Sequence, residues 1–223
     1  LFPTPALGTR KPAQTAMRDD LRRRAIQAYS ASTTFMDAQV GVLLDALDRL
    51  GLADNTVIVF HGDHGYHLGE KDLWQKMSIF EESARVPLIV SVPGNRANGG
   101  RCTRPVELVS LHKTLTDLCG IAADDRTEGH SLGPLVEDPR AHWTHAAFTQ
   151  VTRDSKGKRA DGPIMGRSVR TERWRYTEWD EGRMGIELYD HDNDPHEMKN
   201  LSDDSAHAGA ATELREVLRA GGT

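Results

Sequence analysis

The stretch Thr56-Val57-Ile58-Val59-Phe60-His61-Gly62-Asp63-His64-Gly65-Tyr66-His67-Leu68-Gly69-Glu70 decides how this chain folds and where its chemistry sits. Thr56 to Phe60 is a short, mostly β-branched apolar run bounded by turn residues, the pattern of a strand buried on both faces in a parallel sheet. Ligands of open α/β sheets gather beyond the carboxyl ends of such strands, and Asp63 and His64 fall there. Gly62 and Gly65 carry no Cβ and let the backbone bend and approach an ion closely. A carboxylate suits a hard cation, whereas an imidazole suits zinc, manganese or iron, so these residue types alone leave the metal open. An Asp-His pair in a loop is equally the composition of an ordinary turn with a hydrogen-bonded histidine. Lys76 follows within reach and, on its own, reads as a solvated lysine.

Outward from this centre, the elements alternate. Apolar side chains at Leu21, Ala25, Tyr29, Met36, Val40, Leu43, Leu44, Leu47 and Leu50 recur at helical spacing, predicting one long or two abutting helices over Met17 to Leu50, with Asp19 and Asp20 near the amino end and Gly51 as the stop. Leu88 to Val92 reads as a second buried strand ended by Pro93-Gly94. Val106 to Leu118 reads as a short strand turning into a helix with Leu111, Leu115 and Leu118 on one stripe. This order is that of an α/β protein with a mostly parallel sheet. After Pro139 the character changes: short strand-like runs at Ala146–Gln150, Arg167–Arg170, Arg173–Glu178 and Ile186–Tyr189 precede an amphipathic helix at Ala210–Leu218. The charged, glycine-containing stretch 154–162 reads as a mobile loop. The boundaries that follow are 1–140 for an α/β unit and 141–223 for a small α+β subdomain with an antiparallel sheet.

The quoted run continues through Leu73-Trp74-Gln75-Lys76 to Arg85-Val86-Pro87-Leu88-Ile89. Further on come Ser168-Val169-Arg170-Thr171, Trp174-Arg175-Tyr176-Thr177-Glu178-Trp179, Glu187-Leu188-Tyr189-Asp190, Asp194-Pro195-His196-Glu197 and Asn200-Leu201. Together these ordered motifs resemble the second half of a type I sulfatase of the alkaline-phosphatase-like superfamily, most of all the iduronate-2-sulfatase-like enzymes. The resemblance implies the rear half of an alkaline-phosphatase-like sandwich. It implies that Asp63 binds a divalent metal, calcium by family habit, that His64 binds the same metal or lies against the sulfate group, and that His64 and Lys76 act in catalysis. Lys76 would contact the sulfate and neutralise the leaving oxygen. Tyr66 and His67 occupy the loop that meets the organic part of the substrate, a packing role being the alternative for both. The substrate class implied is a sulfated small molecule or glycan, hydrolysed as a sulfate ester. Phosphodiester or phosphonate hydrolysis in the same superfamily, or a non-catalytic fragment that binds anions or glycans, are the competing readings.

The family's nucleophile, a formylglycine made from Cys/Ser-x-Pro-x-Arg, has no counterpart here. Cys102 is followed by Thr103-Arg104-Pro105, Cys119 by Gly120-Ile121-Ala122, and Ser91-Val92-Pro93-Gly94 ends in Asn95 rather than arginine. The nucleophile and further metal carboxylates are therefore expected from an N-terminal half of the same sulfatase. The opening Leu1-Phe2-Pro3-Thr4-Pro5 reads as an internal loop rather than a leader. A formal charge of −5, from 28 basic and 33 acidic side chains, gives no basic field for nucleic acid, and no apolar run is long enough for a membrane span. Two cysteines define neither a disulfide framework nor a zinc motif. The resemblance implies a periplasmic, secreted or lysosomal setting. His61-Gly62-Asp63-His64 also resembles the metal loop of metallo-β-lactamase-like hydrolases, but Val59 stands where that motif needs its first histidine.

Overall fold

A computed structural model describes residues 2–122, 124, 126–154 and 162–221. Short helix α1 (Pro12–Thr15) leads into the 31-residue α2 (Asp19–Arg49). Asp19 and Asp20 face the positive end of the α2 dipole, and Arg49 lies in its last turn. The stop is a glycine cap: Gly51 has φ +66, its N–H reaches Asp48 O at 3.0 Å, and Leu52 N–H reaches Leu47 O at 2.9 Å.

Strand β1 (Ile58–His61) follows, then a small hairpin of β2 (His67–Leu68) and β3 (Trp74–Gln75), the helical turn α3 (Glu81–Ala84) and β4 (Leu88–Ser91). β1 pairs with β4 antiparallel, Val59 opposite Val90 and His61 opposite Leu88. The expected parallel pairing is not found among the described residues, where all three sheets are antiparallel. A continuous apolar run reports that both strand faces can be covered; it carries no information on the direction of the neighbour. The strand expected before α4 (Leu111–Leu118) is instead a 3-10 turn over Leu108–Ser110, in which Ser110 N–H bonds Glu107 O at 3.1 Å. Helix α5 (Gly133–Glu137) closes this part. The 154–162 loop falls mostly on residues 155–161, outside the described residues.

The remainder is an antiparallel meander of β5 (Ala147–Arg153), β6 (Ile164–Arg170), β7 (Trp174–Trp179) and β8 (Ile186–Asp190), followed by α6 (Ala208–Gly221). Alternation along β7 sends Tyr176 to one face and Trp179 to the other. On the first face Val169, Tyr176 and Leu188 pack with Leu214 and Leu218 of α6. On the second, Ile164, Trp179 and Tyr189 pack with Leu73, Ile79, Phe80 and Ala6. Each such fully buried large apolar side chain contributes about 1.5–3 kcal/mol. Gly166 is dictated by this packing, since a Cβ there would lie 2.5 Å from the Trp179 ring. The meander thus serves as a platform, and residues 73–84 lie across it.

Candidate functional site

β1 ends at His61, and Gly62 N–H bonds Pro87 O at 3.2 Å, which turns the chain outward into Asp63-His64-Gly65. Gly65 N–H then bonds Ser83 O at 2.8 Å. The Gly65 backbone sits so close to α3 that a Cβ would lie 2.2 Å from Glu82 O and 2.9 Å from Arg85 O. Glycine here permits contact between two backbone segments rather than approach to an ion.

Three of the residues singled out in the sequence converge at this loop. Lys76 Nζ lies 2.8 Å from His64 Nε2, and His64 Nε2 lies 3.6 Å from Asp63 Oδ2. The ring's other nitrogen, Nδ1, is 2.8 Å from Gly65 O, which can only accept, so Nδ1 carries the proton and Nε2 offers a lone pair to the Lys76 ammonium. Asp63 is open to solvent, its side chain 84% exposed, and its Oδ1 accepts the His64 N–H at 3.0 Å. Its own backbone N–H, then the His64 backbone N–H and the charge of Lys76, hold this carboxyl below the usual carboxylate range. An anionic oxygen and an imidazole nitrogen 3.6 Å apart are spaced as two neighbouring ligands of one ion are, bonds of about 2.0–2.5 Å at roughly a right angle giving about 3–3.5 Å. The donor set therefore fits a divalent cation at Asp63, with His64 Nε2 able to serve either that ion or Lys76 but not both.

Tyr66 is half-exposed and its ring leans on Tyr29 of α2, centroids 5.1 Å apart. His67 is elsewhere: 1% exposed, it sets Nε2 2.7 Å from Ser78 Oγ and meets the Phe80 ring edge-on. Burial pushes its pKa down, favouring the neutral ring. Of the two roles the sequence left open for His67, packing is the one its position supports.

Beneath the loop lies an ionic cluster that sequence patterns did not single out. Glu197, fully buried, takes Arg175 Nε at 2.5 Å, Glu81 N–H at 2.8 Å and His191 Nε2 at 3.0 Å. Arg175 also donates to Glu81 Oε2 at 2.5 Å. Lys71, its ammonium shielded under the ring of Phe80, spans Glu82 at 3.2 Å and His196 O at 2.7 Å. Burial opposes the Glu197 charge, but Arg175 and the His191 hydrogen bond outweigh it and hold the pKa at about 2. Glu81, His191 and Glu197 could by spacing hold a metal. The Arg175 guanidinium bridges both carboxylates and Arg170 Nε brings a second positive charge to 3.8 Å from Glu81 Oε2, so this cluster is an ion-pair network. Neighbouring arginines at the start of β7 are split: Arg173 pairs with Asp190 at 2.7 Å near the surface, while Arg175 is 3% exposed because its strand position points inward to Glu81 and Glu197.

Comparison with known proteins defines the class. The sulfatase family model matches residues 4–121, and the model described as N-sulphoglucosamine sulphohydrolase, C-terminal, matches residues 69–221. The chain belongs to the sulfatase family. It is 33% identical to mouse iduronate 2-sulfatase over 88% of this chain and 47% of that protein. A solved structure from Bacteroides thetaiotaomicron, assigned as a sulfatase, superposes with TM-score 0.80 at 27% identity over 97% of this chain and 47% of that one. The phosphonate monoester hydrolase of Silicibacter pomeroyi superposes with TM-score 0.72 at 26% identity over 82% of this chain and 38% of that one. The chain spans less than half the length of the curated relatives it matches. An α/β fragment of a type I sulfatase, iduronate-2-sulfatase-like in sequence, is thus established. No described helix is long and apolar enough to cross a membrane.

Proposed function

We propose that this chain supplies one side of a metal-dependent sulfate ester hydrolase site, acting on a sulfated carbohydrate of the iduronate 2-sulfate kind. The observation that carries this reading is the convergence of Asp63, His64 and Lys76 on one exposed loop, with Lys76 Nζ 2.8 Å from His64 Nε2. Asp63 would hold the divalent cation, calcium by family habit, joined by His64 when the imidazole releases Lys76. Such an ion polarises the ester oxygens and offsets the charge of the group in flight. Lys76 binds the sulfate and lends its positive charge to the departing oxygen, where it counts most as negative charge develops. Before the ion binds, the His64 Nε2 lone pair holds the Lys76 ammonium beside the site. Tyr66, on its Tyr29 support, forms an aromatic wall for the organic part of the substrate.

The remaining ligands and the formylglycine nucleophile are assigned to an N-terminal half of the same enzyme. The apolar face of α2 supports this: Phe35, Leu43 and Val42 are 68%, 68% and 62% exposed, more than a free helix surface carries without a covering layer. Residues 1–140 would complete the catalytic α/β domain and 141–223 its rim. The likeness to a phosphonate monoester hydrolase favours a second reading, cleavage of phosphonate or phosphodiester bonds by the same groups.

The test is Asp63→Ala in the complete protein, with bound metal measured by elemental analysis and turnover on 4-nitrophenyl sulfate. The expected result is loss of most of the metal and a fall in turnover of about 10³-fold or more. Unchanged metal content refutes the ligand assignment. Turnover of phenylphosphonate esters well above that of sulfate esters selects the second reading.

A further inference from the structure

Lys76 stands on exposed backbone that has no intrinsic reason to hold one conformation. Gln75, just before it, has φ +74, a left-handed geometry that a residue with a Cβ keeps only where its surroundings enforce it. Two groups hold the Lys76 carbonyl: Ser78 N–H at 2.8 Å, and the hydroxyl of Ser83. Ser83 is 4% exposed and lies on α3. Its own carbonyl accepts Gly65 N–H at 2.8 Å, and Gly65 O in turn fixes Nδ1 of His64 at 2.8 Å. One buried residue therefore grips both loops, through its hydroxyl on the Lys76 side and its carbonyl on the His64 side. α3 cannot drift, because Glu197 takes the Glu81 N–H at 2.8 Å and Arg175 takes the Glu81 carboxylate at 2.5 Å. The path from the buried sheet to the Lys76 backbone is continuous.

We infer that Ser83 is a positioning residue for the Lys76–His64 pair, holding the two loops in the register that brings Nζ to Nε2. The kinetic consequence rests on the reading that Lys76 acts at the leaving oxygen; the geometric claim does not. A flexible lysine whose backbone is released samples many rotamers, and a displacement of about 1 Å of a reacting group can cost up to about 10²-fold in rate.

The experiment compares Ser83→Ala, Ser83→Thr and Lys76→Ala in the complete protein. It reads kcat and KM on 4-nitrophenyl sulfate in the metal-loaded protein and, in the metal-free protein, where Nε2 is left to Lys76, the NMR cross-relaxation between the Lys76 ε-methylene and the His64 ring. Ser83→Ala is expected to lower kcat by about 10-fold with KM within about 2-fold, and to weaken the Lys76–His64 cross-peak. Ser83→Thr keeps a hydroxyl and recovers most of both. Ser83→Ala added to Lys76→Ala has no further effect on kcat, because the group being placed is gone. If Lys76→Ala alone leaves turnover intact, the leaving-oxygen reading fails and the cross-peak still decides the positioning claim. An unchanged cross-peak in Ser83→Ala, or a kcat loss that Ser83→Thr shares in full, overturns it.

Discussion

The β5–β8 meander and helix α2 follow opposite rules. In the meander, Val169, Tyr176, Trp179, Leu188 and Tyr189 are all at most 1% exposed, covered by α6 on one face and by residues 73–84 with the N-terminal segment on the other. Over its whole 31 residues α2 buries none. A region that closes its own core can hold other groups still; a region that leaves its apolar face open is built to be completed. The Asp63-His64-Gly65 loop lies between them: the meander side fixes it through Arg175, Glu197 and α3, while α2 meets the chain just beyond it through Tyr29 against Tyr66.

The sharpest way to break this contrast is to cut the link. Arg175→Met takes the guanidinium from the fully buried Glu197 and leaves Glu81 only its more distant arginines, Arg170 and Arg85 at 3.8 Å, and is expected to cost about 3–5 kcal/mol in chemical denaturation of this chain. A loss below about 1 kcal/mol would show that the meander does not depend on the network. Next in size, Lys76→Ala in the complete protein should lower kcat by about 10²–10³-fold while barely moving the melting temperature, because the side chain is exposed and lies outside both cores.

A smaller effect is the pH response of Glu197. Its pKa is about 2 in the folded chain, below its ordinary value of 4.5, so its contribution is present above about pH 4.5 and is lost as pH falls toward 2. Burial raises Glu187 and gives the opposite slope, so the effect is read as the stability difference between wild type and Glu197→Gln, which should narrow over that window. Smallest of all, Phe35→Ser on α2 should change the stability of this chain by no more than about 0.5 kcal/mol, since Phe35 is 68% exposed. The same change in the complete protein should cost about 3 kcal/mol or more if that face is covered.

Sequence periodicity located α2 to within two residues at either end, and Gly51 marked its cap because only one residue type takes that left-handed position cheaply. The four meander strands were legible from their aromatic and β-branched runs, though β5 and β6 extend beyond the expected bounds. Strand direction in β1–β4 was not legible, because a run of apolar residues has no polarity. The Asp63-His64 pair and Lys76 were visible as a motif, and the fold brings them together across 12 residues. Ser83 and the Glu81–Glu197 contact were not visible. Their partners are single polar residues, 116 positions apart in the second case, and no local period announces a hydrogen bond of that reach. The one available signal was Glu197 itself, inside Asp194-Pro195-His196-Glu197, a charge that turns out fully buried at φ +53.

The most direct test is a crystal structure of the complete protein grown with calcium and inorganic sulfate, with the metal placed by anomalous scattering. The account requires an ion about 2.3–2.6 Å from an Asp63 carboxylate oxygen and the Lys76 ammonium within hydrogen-bond reach of the sulfate. An ion seated instead among Glu81, His191 and Glu197, or an Asp63 carboxylate turned away from any bound metal, would contradict it.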